Sequence, residues 1–327
     1  MPPVKLKNLI IFGDSMSDIG NKREQGMGKV ARALGLMRTN EVGRFSDGRN
    51  WTDFLWQWAG GTRMIRKDQE TSLENTVVHR SLTKDSSQDS GFGRPFFYCN
   101  YAEGGAMGAS DRSAVGLGTF KEQVIRYMAE REKCPLEGPT LHILWFGLND
   151  LVTNGRPPNT MDAVVDELGT GMRTIDMNFG QKNSHYLILN LPSPAGAVRL
   201  LKQNDLRQVA QFDKGALFFN QHLEGLKGKY YDSANNVTLV DMYSYVDSIN
   251  NNLEDHGLVN KAQPQGVKVD YGMFGEDGDK DNNVRKYVAT SDDAHPTEAV
   301  YKLMAQLVAK TVRTNYELGT LGKSLLA

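Results

Sequence analysis

The chain has 327 residues, 39% of them hydrophobic and 24% charged, with 38 Lys and Arg against 39 Asp and Glu for a net charge of -1. That length suffices for one large α/β domain or two smaller ones. Near-neutral charge provides no long-range field toward nucleic acid or an anionic membrane, which sets a nucleic-acid partner aside.

After Met1 come Pro2, Pro3, Lys5 and Lys7, then only the short apolar run "NLIIF" (8–12) before Gly13, Asp14 and Ser15. The run is too short for a signal peptide, and no stretch approaches the about 18 apolar residues of a membrane span. The expectation is a soluble protein, cytoplasmic or exported by a route that reads no classical signal. Gly frees a turn, and Asp or Ser bonds the open N–H groups of a helix start, so a helix is expected to begin at Ser15.

Residues 50–60, "NWTDFLWQWAG", place Trp51, Phe54, Leu55 and Trp58 on one helical face with Trp56 off it, a core stripe rather than a lipid-docking surface. The polar residues 60–95 read as a long irregular excursion. A second strand-like run, "FFYCNYA" (96–102), leads into "EGGA" with Gly104 and Gly105. Helical periodicity over 118–133 precedes a third run, "LHILWFG" (141–147), which leads into Asn149 and Asp150. Helical periodicity returns over 160–179 and 208–230, around a fourth run, "HYLILNL" (185–191), and before a fifth, "NVTLVDM" (236–242). Residues 250–283 form a second polar excursion. Within it Asp277, Asp279 and Asp281 have the spacing that opens a calcium loop, but Asn282 and Val288 stand where Gly and Glu are needed, so a solvated acidic loop is expected. A final helix covers 295–316, with Pro296 in its first turn and Glu298 where the helix dipole favours an acid.

Continuously apolar strands alternating with helices predict a doubly wound α/β fold: a mostly parallel five-stranded sheet with helices on both faces. No linker or repeat divides it, so residues 1–327 are expected to form one domain with elaborated loops, and ligands bind beyond the carboxyl ends of its strands. Cys99 and Cys134 have no zinc-type spacing; two buried thiols are expected, with one disulfide between them left open.

The chemistry collects after the strands. Ser15 follows the first run, Gly104 and Gly105 the second, Asn149 and Asp150 the third, and "SDDAHPTE" puts Asp292 three residues before His295. A serine becomes nucleophilic when histidine takes its proton, and a carboxylate on the other ring nitrogen fixes the tautomer. Attack on an ester leaves a negative oxygen that needs prearranged donors, for which the Ser15 N–H, a glycine N–H and the Asn149 amide are candidates. The other histidines, His79, His142, His185, His222 and His256, lack comparable neighbours, with His142 inside an apolar run. Neither Gly-x-Ser-x-Gly nor a phosphate-binding Gly-rich loop is present.

On "FGDSMSD", "NYAEGGA", "FGLND" and "DDAHPTE", with "GRFSDGRNWTDFL" (43–55) after the first block, the chain resembles the GDSL/SGNH hydrolase family from residue 8 to about 310. The resemblance implies a flavodoxin-like SGNH hydrolase fold and a cofactor-free, metal-independent serine ester hydrolase of lipase, phospholipase or lysophospholipase type. Acyltransferase and carbohydrate O-deacetylase are alternatives on the same site, and a catalytically silent binding module is the alternative outside enzymes. It implies Ser15 as nucleophile, His295 as base and Asp292 as its orienting acid, with Ser15, Gly105 and Asn149 as oxyanion donors. Gly104 competes with Gly105 and Asp293 with Asp292; Asp14, Gly104 and Asp150 are supporting residues. Met16 replaces the motif's leucine. Met16, Met107 and Trp51 near the mouth favour an acyl chain over a sugar, and the substrate is a small-molecule or lipid ester, with transient contact to a lipid surface allowed.

Overall fold

The apolar runs form strands because their side chains are buried on both faces of the sheet. These are β1 (Asn8–Gly13), β3 (Phe96–Asn100), β4 (Thr140–Trp145), β5 (Ser184–Leu189) and the partly exposed β6 (Val237–Val240). A computed structural model describes residues 2–24, 28, 30, 38–40, 43–61, 79–82, 96–112, 117–133, 135–230, 236–264 and 286–321. Strand β2 (His79–Leu82) adds an antiparallel edge, giving the order β2-β3-β1-β4-β5-β6. The five strands expected from the sequence are all parallel, and in chain order they run 2-1-3-4-5, the flavodoxin-like order.

Alternate residues of β1 enter different cores, as the twofold period of a strand requires. Leu9 and Ile11 pack with α1 (Trp51–Trp58), α6 (Met242–Asn251) and α7 (Glu298–Asn315). Ile10 and Phe12 pack with α2 (Phe120–Lys133), α3 (Asp162–Phe179) and α5 (Leu206–Tyr230). The order reverses at β1, whose neighbours β3 and β4 diverge in connection. The crevice beyond the ends of β1 and β4 is therefore the place where loops separate and a ligand can enter.

Several expectations are corrected. Residues 79–82 are strand, which the polar "HRSL" does not announce because the edge is held by backbone pairing to β3. Within 250–283, Val259–Ala262 pairs in parallel with Tyr287–Ala289. Helices α4 (Val198–Gln203) and α6 were not anticipated; α6 begins where Asp241 receives the Ser244 amide at 3.1 Å. Trp56 is fully buried, 4.7 Å from the Tyr98 ring, so α1 is covered on more than its predicted face. Helix α7 starts at Glu298, leaving Pro296 ahead of the cap; its first N–H is taken by Asp47 at 2.6 Å, from 251 residues away. No helix among the described residues is long and apolar enough to cross a membrane. Cys99 is a buried free thiol; Cys134, Asp277, Asp279 and Asp281 lie outside the described residues.

Candidate active site

The end of β1 is clamped before it presents Ser15. The Gln123 side chain accepts the Gly13 N–H at 3.1 Å and donates to the Gly13 carbonyl at 2.8 Å, so the strand ends in a fixed direction. Contrary to expectation, no helix starts at Ser15. Asp14 accepts the Met16 amide at 2.9 Å and the Ser17 amide bonds back to the Asp14 carbonyl, closing a turn. The helix waits until Asn21–Glu24, where Asp18 receives the Gly20, Asn21 and Lys22 amides.

Asp18 also settles which glycine amide is free. Its second oxygen accepts the Gly104 N–H at 2.7 Å, whereas among the described residues the Gly105 and Ser15 N–H groups have no acceptor. Burial pushes the Asp18 carboxyl up to about 6, against the four amides that stabilise its charge. Each glycine of "EGGA" has its own reason. Gly105 sits at φ +81°, a left-handed conformation other residues resist, and a Cβ on Gly104 would stand 2.4 Å from the Phe45 ring. That ring lies 4.9 Å from the His295 ring, held within "GRFSDGRN" by the buried Arg44–Asp53 pair at 2.8 Å and Arg49–Glu298 at 2.8 Å.

From the other end of the chain, His295 Nε2 stands 2.9 Å from Ser15 Oγ and its Nδ1 stands 2.6 Å from Asp292 Oδ2. An ionised carboxylate only accepts, so the proton belongs on Nδ1 and Nε2 is left to accept from the serine. Asp292 Oδ1 receives Thr290 Oγ1 and the Ala294 and His295 amides at 2.8, 2.9 and 3.0 Å. Burial raises its carboxyl, but the hydrogen bond and charge of His295 and these amides outweigh it and hold the group well below the usual carboxylate range. Asp293 turns elsewhere: in left-handed backbone at φ 65°, it pairs with Lys202 at 2.6 Å. Of the two competing acids, only Asp292 meets the histidine.

Beyond β4, Asn149 opens a π-helical turn, Asn149–Thr153, and faces the same crevice. Its amide nitrogen lies 3.1 Å from the Ala106 carbonyl and 3.3 Å from Asp14 Oδ2, so both its hydrogens have protein acceptors here. Burial raises Asp14 to about 7, opposed by the Met16 amide and His295 and aided by the nearby Asp150 charge. Asp150 is buried and accepts the Gly108 and Ala109 amides at 2.7 and 3.1 Å, holding the loop after Gly105. His142 is a core residue: it stacks between Phe12 and Tyr186, its Nε2 meets the Tyr127 hydroxyl at 3.1 Å, and burial pushes its pKa down to about 3.

Ser15 and His295 open onto a cavity of about 250 Å³ whose walls include Met16, Val152, Val198, Leu200, Val246 and Met304. Met16 lines it as expected. Met107 and Trp51 do not: both are fully buried, Trp51 donating to Ser17 Oγ at 3.1 Å beneath the turn. Among the described residues, no group of three or more His, Cys, Asp or Glu is arranged to hold a metal ion.

Over 322 residues the chain is 24% identical to the thermolabile hemolysin of Vibrio parahaemolyticus serotype O3:K6, covering 94% of this chain and 64% of that protein. Among solved structures, a lipolytic G-D-S-L protein of Veillonella parvula DSM 2008 is 12% identical, with a TM-score of 0.45 over 93% of this chain and 96% of that one. The acetylxylan esterase Axe2 of Geobacillus stearothermophilus is 13% identical, with a TM-score of 0.42 over 95% and 96%. Residues 9–308 match the family described as GDSL-like Lipase/Acylhydrolase, and the chain belongs to that family.

Proposed function

We propose that the chain hydrolyses carboxylic esters whose acyl group is longer than acetyl, with Ser15 as nucleophile, His295 as base and then acid, and Asp292 orienting the histidine. The observation that carries this reading is the continuous path from Asp292 through His295 to Ser15 Oγ, at 2.6 and 2.9 Å, ending at an apolar cavity.

Ser15 Oγ attacks the ester carbonyl carbon while its proton passes to His295 Nε2. The bond to the alcohol oxygen breaks, Nε2 returns the proton to that oxygen, and the acyl group stays on Ser15. Water then gives a proton to Nε2 and its oxygen to the acyl carbon; the Ser15 ester bond breaks, Ser15 takes the proton back, and the carboxylic acid leaves. The negative oxygen of each tetrahedral intermediate is assigned to the Ser15 and Gly105 N–H groups and the Asn149 amide. For this, Asn149 exchanges its longer contact, with Asp14, for the oxyanion. Asp14 and Asp150 keep supporting roles, in the serine turn and the loop after Gly105.

A wall of aliphatic side chains suits an acyl chain better than a sugar, which is what favours a lipase-like substrate over carbohydrate deacetylation. The test compares wild type with Ser15→Ala on p-nitrophenyl esters from acetate to palmitate, with and without an added alcohol. Serine-dependent hydrolysis that exceeds the acetate rate on longer chains is expected. A preference for acetate redirects the reading to deacetylation, ester products with the alcohol redirect it to acyl transfer, and absence of serine-dependent turnover contradicts it.

A further inference from the structure

The corner that joins α4 to α5 is exposed at every residue from 201 to 208. It nevertheless presents two large aliphatic side chains, Leu201 at 46% exposure and Leu206 at 76%. Asn204 makes the corner in left-handed backbone at φ 50°, and Asp205 receives the Arg207 and Gln208 amides at 3.1 and 3.0 Å, so the start of α5 is capped rather than frayed. Arg199, Lys202 and Arg207 share this exposed stretch with the leucines, against one exposed acid, Asp205. Among the described residues the Arg199 and Arg207 guanidinium groups have no acceptor, and Lys202 meets Asp293 where water also reaches both.

The same element is tied to the reaction centre. The Arg199 N–H donates to the Asp293 carbonyl at 3.0 Å, two residues before His295, and Val198 and Leu200 wall the cavity with the exposed Arg199 at its edge. Its inner side is thus part of the acyl cavity, while its outer side carries exposed leucines among positive charges. Two leucines on a projecting corner fall far short of the roughly 800 Å² per partner that a stable protein interface buries. An apolar tip flanked by Arg199, Lys202 and Arg207, which outnumber the neighbouring acids Asp205 and Asp293, does match the headgroup and acyl boundary of an anionic bilayer, and does so locally, without help from the chain's net charge of -1.

We propose that residues 199–207 form the face by which the protein sits on an anionic lipid bilayer. Leu201 and Leu206 enter the acyl boundary, while Arg199, Lys202 and Arg207 meet lipid phosphates. The cavity mouth then opens where its substrate is concentrated. This rests on reading the cavity as an acyl site.

The test sediments the Ser15→Ala protein, which leaves the lipid intact, with vesicles of phosphatidylcholine alone or with about one third phosphatidylglycerol. Binding to the mixed vesicles is expected, weakened by salt and by Arg207→Gln, and reduced about tenfold by Leu201→Ser or Leu206→Ser. With Ser15 intact, the leucine variants keep kcat/KM on soluble p-nitrophenyl butyrate within about twofold of wild type, as exposed substitutions should. Failure to bind either vesicle, equal binding to both, or undiminished binding of the leucine variants overturns the proposal. So does a dimer that Leu206→Ser dissociates in the absence of vesicle binding. Leucine-dependent binding without soluble-ester turnover instead leaves the docking face standing and removes the esterase reading, so the two failures are distinct.

Discussion

Asp292→Asn changes the charge and hydrogen-bonding pattern beside His295 with almost no change in shape. The native carboxylate accepts four hydrogen bonds: three on Oδ1, from Thr290 and two amides, and one on Oδ2, from His295 Nδ1. Asparagine has a single acceptor oxygen. If that oxygen keeps the three donors, its NH₂ group faces Nδ1 and drives the ring proton to Nε2, the atom that must receive the Ser15 proton. If the amide turns round, its NH₂ opposes two backbone N–H groups, and each lost bond costs about 1 kcal/mol net. The first arrangement keeps three bonds and reverses the fourth, with the NH₂ group donating to a bare Nδ1, so the histidine is expected in the unproductive tautomer. Where a carboxylate orients a catalytic histidine, this change lowers kcat about 10⁴-fold, or about 5.5 kcal/mol on the barrier. Steady-state rates on p-nitrophenyl butyrate with parallel thermal melts separate this from unfolding, because the retained bonds leave the melting temperature nearly unmoved. A kcat within about tenfold of wild type, at unchanged melting temperature, refutes the reasoning.

Ser15→Ala and His295→Ala should each lower kcat at least about 10³-fold, and the double variant should be no worse than the poorer single one, because the pair acts as a unit; additive losses in steady-state assays argue against shared chemistry. Asp14 bears on stability against pH. Its folded carboxyl is raised to about 7 from 3.8, so its contribution is fully present below the unfolded value and is lost as pH rises through 7. Urea unfolding from pH 4 to 8 should therefore show wild type losing up to roughly 4 kcal/mol relative to Asp14→Asn, and a constant difference contradicts the burial argument. Arg44→Ala leaves the buried Asp53 charge without its partner and should cost about 3–5 kcal/mol by urea unfolding; a cost below about 1 kcal/mol refutes the importance of that pair. Val152→Trp, placed in the cavity wall, should lower the octanoate-to-acetate ratio of kcat/KM at least about tenfold, and an unchanged ratio means the acyl chain lies elsewhere.

The five parallel strands, and the longer helices between them, were legible because strands buried on both faces carry unbroken apolar runs, such as "NLIIF" and "LHILW", that need no partner to be recognised. Strand β2 was not, since an edge pairs through backbone and "HRSL" carries no pattern. Nor was the start of α7, whose cap comes from Asp47, far away in sequence. The same holds at the site. Local spacing points to Asp292 beside His295, but the choice between Gly104 and Gly105 depends on Asp18, 86 residues from Gly104. Nothing in "DSMSD" distinguishes Asp18 from its neighbours; the helix start at Asn21 follows from the Gly20, Asn21 and Lys22 amides it gathers in three dimensions. Hydrophobic type alone also misplaced Met107 and Trp51 at the mouth, because an apolar residue beside a site loop can equally well support it from below.

If Ser15 is an activated nucleophile, it reacts covalently with an electrophile directed at such serines. Wild type and Ser15→Ala are incubated with a serine-directed fluorophosphonate, and the intact mass and modified peptide are measured. One adduct is expected on the wild type, mapped to Ser15, and none on the variant. An unlabelled wild type, or a variant labelled equally well, contradicts it.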